Sequence, residues 1–241
     1  MVDHSFGWFD LTWSWIGLVF AVVLLLLLFA TNLLRGDLDQ PRHRDLRWLS
    51  FLAIAVYLVH EVEEYGIAAD GVRHAFPDAL CATLGQSAYP ACGIPPVFYL
   101  AVNISLVWIA APIAALLSRR FRLAGLVLWG VIAVNAIVHI APAIATRQYD
   151  PGLLTAVVLF VPLCVLTSRA LIGSSSPYRA RAAVVVLAAG VFMHAVLGGG
   201  AFLFLDGVIP GWLLVALQPT AIAIGYVAVG TTDRRLRRPL A

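Results

Sequence analysis

Apolar residues fill this chain in seven long runs, at 13–34, 48–65, 96–117, 123–145, 153–172, 182–205 and 211–230, separated by short polar connections. Each run is close to or above the roughly 20 residues that a helix needs to cross a hydrocarbon core. Each is bounded by Arg, Asp, Gly or Pro, as helix ends in membranes usually are. The pattern predicts an all-α, polytopic bundle of seven transmembrane helices, forming one transmembrane domain over 1–241.

Composition sharpens this picture. The AVILMFWYC set makes up 61% of the residues and charged residues 12%, against about 25% charged in soluble domains. Mean hydropathy is +0.91. The formal charge is only +3, and its basic residues are spread between apolar runs rather than gathered in a patch. Nucleic acid is therefore not an expected partner. The lipid bilayer and a small hydrophobic substrate are; the pattern specifies no oligomeric state. The opening Met1-Val2-Asp3-His4 has no basic n-region and the first run is long, which predicts a retained first helix rather than a cleaved signal peptide.

All sixteen basic residues are Arg, and their placement predicts an orientation. Arg35, Arg42, Arg44 and Arg47 lie between runs one and two, Arg119, Arg120 and Arg122 between three and four, and Arg169, Arg179 and Arg181 between five and six. Arg234, Arg235, Arg237 and Arg238 fall in a basic tail at 231–241. Arg73 and Arg147 stand on the other side. The positive-inside rule then puts the N-terminus out and the C-terminus in. The loop 66–95 becomes extracytoplasmic, where Cys81 and Cys92 can pair or remain free thiols, and the compartment favours a bridge. Cys164, within run five, reads as a small packing residue. Residues 173–177, Gly-Ser-Ser-Ser-Pro, read as a flexible loop.

Polar side chains inside lipid-spanning runs are costly and point to function. The second run carries His60, Glu61, Glu63 and Glu64, the third Asn103, the fourth Asn135 and His139, the sixth His194 and the seventh Gln218. Counted from the Arg markers at about 1.5 Å per residue, they cluster roughly 20–25 Å from that end of the bundle. His60, Glu63 and Glu64 share a helix face, as do Asn135 and His139, whereas Glu61 is turned about 100° away from His60. A single Asn103 or Gln218 is more often interhelical glue. His194 is evenly balanced between packing, beside the run Gly198-Gly199-Gly200, and a role in the site. Adjacent carboxylates are different: buried charges need partners, the chain has no Lys, and no Arg is predicted at that depth. Histidines, protons or a metal ion remain.

His60-Glu61-Val62-Glu63-Glu64 resembles the signature of the HXXEE family of bacterial integral membrane proteins. Three further features fit: Asn103 in Tyr99-Leu100-Ala101-Val102-Asn103, His139 in Asn135-Ala136-Ile137-Val138-His139, and the turn Tyr149-Asp150-Pro151-Gly152. The spacing from Gly130 to Asn135 departs from the family's by one residue. The resemblance covers about residues 48 to 170 and implies a bacterial plasma-membrane protein with a shared polar site, but no substrate. A looser likeness, His60 and Glu64 at His-x-x-x-Glu spacing, is to the emopamil-binding-protein sterol isomerases. Small membrane-bound terpene cyclases also set His and acidic residues in a helical bundle.

Three functions follow as expectations. In the first, a divalent metal, zinc or iron, is held by His60, Glu64 and His139, with His194 as a candidate fourth group. Glu63 would be the general base and Asn135 would orient substrate, giving a hydrolase-like enzyme acting on a lipid or isoprenoid. In the second, no cofactor is present, and Glu63 or Glu64 protonates an alkene or epoxide while His60, His139 and Asn135 relay the proton, as in an isomerase or cyclase. Trp108, Trp129 and Phe192 are candidate walls for such a substrate. The third is a small proton-coupled transporter.

Overall fold

The computed structural model describes residues 7–173, 176–178 and 180–236. Met1 to His4, Arg179, Arg237 and Arg238, together with Ser174 and Ser175 of the 173–177 loop, lie outside the described residues. Eight helices account for the fold: α1 (Trp8–Ala30), α2 (Leu46–Tyr65), α3 (Ala75–Thr83), α4 (Pro96–Leu117), α5 (Arg122–Thr146), α6 (Leu153–Ile172), α7 (Arg181–Leu205) and α8 (Gly211–Leu236). No strand forms among the described residues.

Six of these, all but α2 and α3, are long and apolar enough to cross a membrane. The 20-residue α2 matches them in length, but Arg47 near its start and Glu61, Glu63 and Glu64 near its end set it apart. Its surroundings explain how it tolerates those charges. Fifteen of its residues are buried, the three carboxylates among them, so the helix lies inside the bundle. Elsewhere the molecule has a reversed surface: Phe20, Leu26 and Phe29 of α1, Val184 of α7 and Val227 of α8 are exposed while His60 and Glu61 are completely buried. Water would penalise that arrangement and a lipid solvent would not.

Local chemistry sets the helix ends. The first helix begins five residues before the predicted run and stops at Ala30 rather than residue 34. Asp10 accepts a hydrogen bond from the Gly7 N–H (2.8 Å) and closes the first turn; beyond Ala30, Thr31 turns extended. The chain then folds back beneath the bundle, where Arg42 and the Trp48 indole both donate to the Leu28 carbonyl. Asp45 caps α2 by accepting from the Arg47 and Trp48 N–H groups, which leaves the start of this helix satisfied without water. At the far end of the chain α8 runs six residues past the predicted limit, because Asp233 is buried against Tyr178, whose hydroxyl donates to it at 2.5 Å.

Two helices contain a widened π turn, at Ile104–Ala110 in α4 and Ala156–Phe160 in α6. Each ends two residues before a proline, Pro112 and Pro162. A proline ring inside a helix clashes with the carbonyl four residues back and offers no N–H; the widened turn accommodates both. The 66–95 connection, read as loop from the sequence, contains α3. Its Cys81 is joined to Cys92 with Cα atoms 6.0 Å apart.

Close packing fixes α5 at the centre beside α2. A Cβ on Gly130 would lie 2.3 Å from the Val186 carbonyl oxygen, and one on Gly190 would lie 2.3 Å from the Gly130 carbonyl oxygen. These two glycines let the backbones of α5 and α7 touch, the small-residue contact that holds helices together in lipid. Gly130 is therefore a packing position. In the Gly198-Gly199-Gly200 run only Gly200 meets a neighbour, Leu214 and Gln218 of α8. Cys164 is a free thiol of intermediate burial.

Candidate metal centre

The site is assembled from α2, α5 and the turn that leads from α5 into α6. His60 and Glu64 stand one helical turn apart on α2, and His139 faces them from α5. The carboxylate Oε1 of Glu64 lies 3.4 Å from His60 Nε2 and 3.2 Å from His139 Nε2. All three side chains are buried, with ligand atoms within 4.8 Å of one another.

What holds the imidazoles decides their chemistry. The Nδ1 of His139 meets Asp150 Oδ2 at 2.5 Å, and a carboxylate there takes an N–H. The Nδ1 of His60 lies 2.7 Å from the Thr155 hydroxyl. That hydroxyl has one hydrogen, and its other neighbours, Glu63 Oε2 at 2.5 Å and the Gly152 carbonyl at 3.2 Å, are acceptors. Thr155 Oγ1 must therefore accept from His60 Nδ1–H. With Nδ1 the protonated nitrogen on each ring, the Nε2 atoms face Glu64, and each offers it a lone pair when its imidazole is neutral. Two nitrogen lone pairs and a carboxylate converge, and His139 Nε2 makes no hydrogen bond of good geometry. Something positive must stand among them, a proton or a cation.

The residues fit a divalent ion. Two imidazoles and a carboxylate are a familiar borderline N/O donor set. Each histidine is also oriented through its remote nitrogen, as metal-ligating histidines are. The Asn135 amide, 3.3 Å from His60 Nε2, is the one donor already directed at this cluster.

The turn 149–155 closes the site. Gly152, with φ +98°, sits against both imidazoles: a Cβ here would lie 2.7 Å from the Cε1 atoms of His60 and of His139. Tyr149 donates to Glu63 Oε1 and accepts from the Ala69 N–H at 3.1 Å. Burial, then this hydrogen bond to Glu63, pushes the Tyr149 phenol above its ordinary value, so it stays a donor at neutral pH. Phe160 covers His60, ring centroids 4.3 Å apart, and Phe76 of α3 approaches His139 at 6.4 Å.

Glu63 has a different environment from the one its sequence neighbours suggest. Its oxygens accept from the Leu154 and Thr155 N–H groups at 3.0 and 2.7 Å, from the Thr155 hydroxyl and from Tyr149. These are the free amides at the start of α6, where a helix welcomes a negative charge. The carboxylate is thus fully matched and anchors α6 to α2.

The remaining polar positions bond to their own helices, and Asn103 also meets Tyr65 of α2. Asn103 donates to the Tyr99 carbonyl, Gln218 to the Leu214 carbonyl, and His194 Nδ1 pairs with the Gly190 carbonyl. His194 makes no contact with His139 or Glu64 at hydrogen-bond distance; its ring pairs with its own helix. The candidate walls do not converge either: Trp129 is buried, Phe192 is exposed, and Trp108 lines a groove facing α1. Glu61 is fully buried between α1 and α4 with neither oxygen hydrogen-bonded in good geometry. The Trp108 indole is its interacting neighbour.

Sequence reasoning passed over Thr155 altogether, and placed Tyr149, Asp150 and Gly152 only within a motif. The available signal was the motif's position, at the start of a helix whose first amides lie at the depth of Glu63.

Residues 51–167 match a family model described as protein of unknown function with HXXEE motif. The chain therefore carries an HXXEE-family domain, and the matched segment contains every residue of the converging cluster and of the turn that closes it. No curated protein and no solved structure matches the chain.

Proposed function

We propose that this protein is a seven-span membrane enzyme that holds a divalent zinc or iron ion at His60, Glu64 and His139 and acts on a lipid-dissolved substrate. The single observation that carries the reading is the convergence of His60 Nε2 and His139 Nε2 on the buried Glu64 carboxylate, with ligand atoms within 4.8 Å of one another and no arginine at hydrogen-bond distance among the described residues. When bound, the ion supplies Lewis acidity in a water-poor site. The chain's own residues do the rest. Asp150 and Thr155 fix the two imidazoles in the tautomer that faces inward. Asn135 offers a donor beside His60 for a substrate oxygen or a ligand. Glu63, committed to α6, is assigned a positioning role in place of the general base expected from sequence.

Support for seven spans comes from α2, which lies among the six apolar helices and is as long as α6. Its Leu46 and Arg47 lie with Ser118, Arg119, Arg122 and Ala170 around one cavity, so the three Arg-bearing connections meet at one end. Ala69 and Tyr149 meet at the other. With that end cytoplasmic, the N-terminus is outside. A C-terminal fluorescent-protein fusion is expected to light up inside cells; fluorescence only from an N-terminal fusion would reverse the orientation.

A second reading has its own observation. Asn135 already donates toward His60 Nε2, and a single proton shared by Glu64 and His139 would satisfy the cluster without metal. Glu64 would then be the acid of an isomerase or cyclase. Metal content separates the two. Protein purified without chelators is expected to carry about one equivalent of zinc or iron, and a His60→Ala, Glu64→Ala variant almost none. Equal, near-zero content in both would remove the metal reading and leave the proton reading.

A further inference from the structure

At the opposite end of the bundle from the His–Glu cluster, a cavity of about 230 Å³ opens between the α1–α2 connection, the α4–α5 turn and the end of α6. Four arginines line it: Arg44, Arg47, Arg119 and Arg122. They come from two separate connections, and Arg47 and Arg119 are close enough to repel one another.

The carboxylates on the same wall are held mainly by other donors, although Asp45 also attracts Arg47 and lies 4.0 Å from Arg35. Asp45 is buried and accepts from the N–H groups of Gly36, Asp37, Arg47 and Trp48. Asp37 accepts from the Asp39 N–H and the Gln40 amide. The arginines have few protein acceptors in exchange. Arg47 reaches the Arg35 carbonyl with one nitrogen, at 3.3 Å, and its Nε is buried without a partner. Charge bias between membrane sides accounts for arginines at this end. It does not account for their convergence on one cavity, since Arg234 and Arg235 of α8 carry the same bias and do not line it.

We propose that this cavity binds an anionic phosphate group carrying two or more negative charges, as a phosphate monoester or diphosphate does. Guanidinium groups meet phosphate oxygens in paired, charge-assisted hydrogen bonds, and an anion there converts the Arg47–Arg119 repulsion into shared attraction. Ser118, buried in the wall and donating to the Ala115 carbonyl, leaves its oxygen lone pairs to a ligand water. The phosphate belongs either to a lipid headgroup at the bilayer surface or to a free anion.

Calorimetric titration of the full chain in neutral detergent tests this with three probes: inorganic pyrophosphate, dihexanoyl phosphatidate and dihexanoyl phosphatidylcholine. Saturable binding of the first two, and none of the third, is expected. Phosphatidate binding about tenfold tighter than pyrophosphate would identify a lipid headgroup as the source; equal binding would identify a free anion. The Arg119→Gln, Arg122→Gln variant changes exposed side chains and is expected to weaken binding by about tenfold or more. Arg234→Gln, Arg235→Gln removes as many charges from the same end and should leave affinity within about twofold. No saturable uptake of either anion at millimolar concentration, or equal losses in the two variants, would overturn the proposal.

Discussion

Two sets of polar side chains sit roughly 20–25 Å from the arginine-bearing end of the bundle, and they behave differently. On α2 and α5, His60, Glu63, Glu64, Asn135 and His139 bond across helices and into the turn 149–155. On α4, α7 and α8, Asn103, His194 and Gln218 bond to the carbonyl four residues back on their own helix, and of the three Asn103 also reaches another helix, at Tyr65 of α2. Depth is shared; connection is not. A polar group that can satisfy itself locally costs little in lipid and holds little together, whereas one that depends on another helix constrains both.

That contrast can be broken by mutation. The largest effect is expected for Glu63→Ala, which strips four hydrogen bonds and exposes the first amides of α6 to an apolar interior. A loss of about 3–5 kcal/mol should appear in denaturant unfolding in mixed micelles. A loss below about 1 kcal/mol would mean that α6 docks without this anchor. Next comes Gly152→Ala. The added methyl collides with both imidazoles and sits at positive φ, so roughly 2 kcal/mol should be lost, with weaker zinc uptake because the rings must move. Unchanged uptake would show that the turn is not seated on the histidines.

Asp150→Asn sharpens the comparison at the site itself. It keeps the shape but removes the charge that orients His139, and zinc affinity should fall about 10–100-fold with little change in unfolding. Smallest of all, Asn103→Leu and Gln218→Leu are expected to shift stability by less than about 1 kcal/mol and metal uptake not at all. If either abolished uptake, the second set of polar groups would belong to the site after all.

Much of this was legible in the amino-acid sequence because lipid imposes simple rules. Apolar run length located all seven long helices, and among them α2 stood out through the same carboxylates that make it central. His60, Glu64, Asn135 and His139 were identified from depth and shared helix faces. Three things were not legible. Helical spacing places Glu63 beside His60 and Glu64 but cannot show that the N-terminus of α6 captures it. Thr155 carries no motif signal of its own; its importance exists only where two helices meet. Equal depth for Asn103, His194 and Gln218 suggested one layer, because sequence gives depth more readily than direction around the bundle. The α3 helix was hidden for another reason: its nine residues are too short for an amphipathic pattern to be distinguished from loop.

The central claim is that His60, Glu64 and His139, converging from α2 and α5, hold a divalent metal ion. Chelator-stripped wild-type protein, titrated with Zn²⁺ beside His139→Asn, measures this most directly. One saturable site in the wild type, lost or weakened by about a hundredfold in the variant, is the outcome expected. Indistinguishable titrations of the two proteins would contradict the claim.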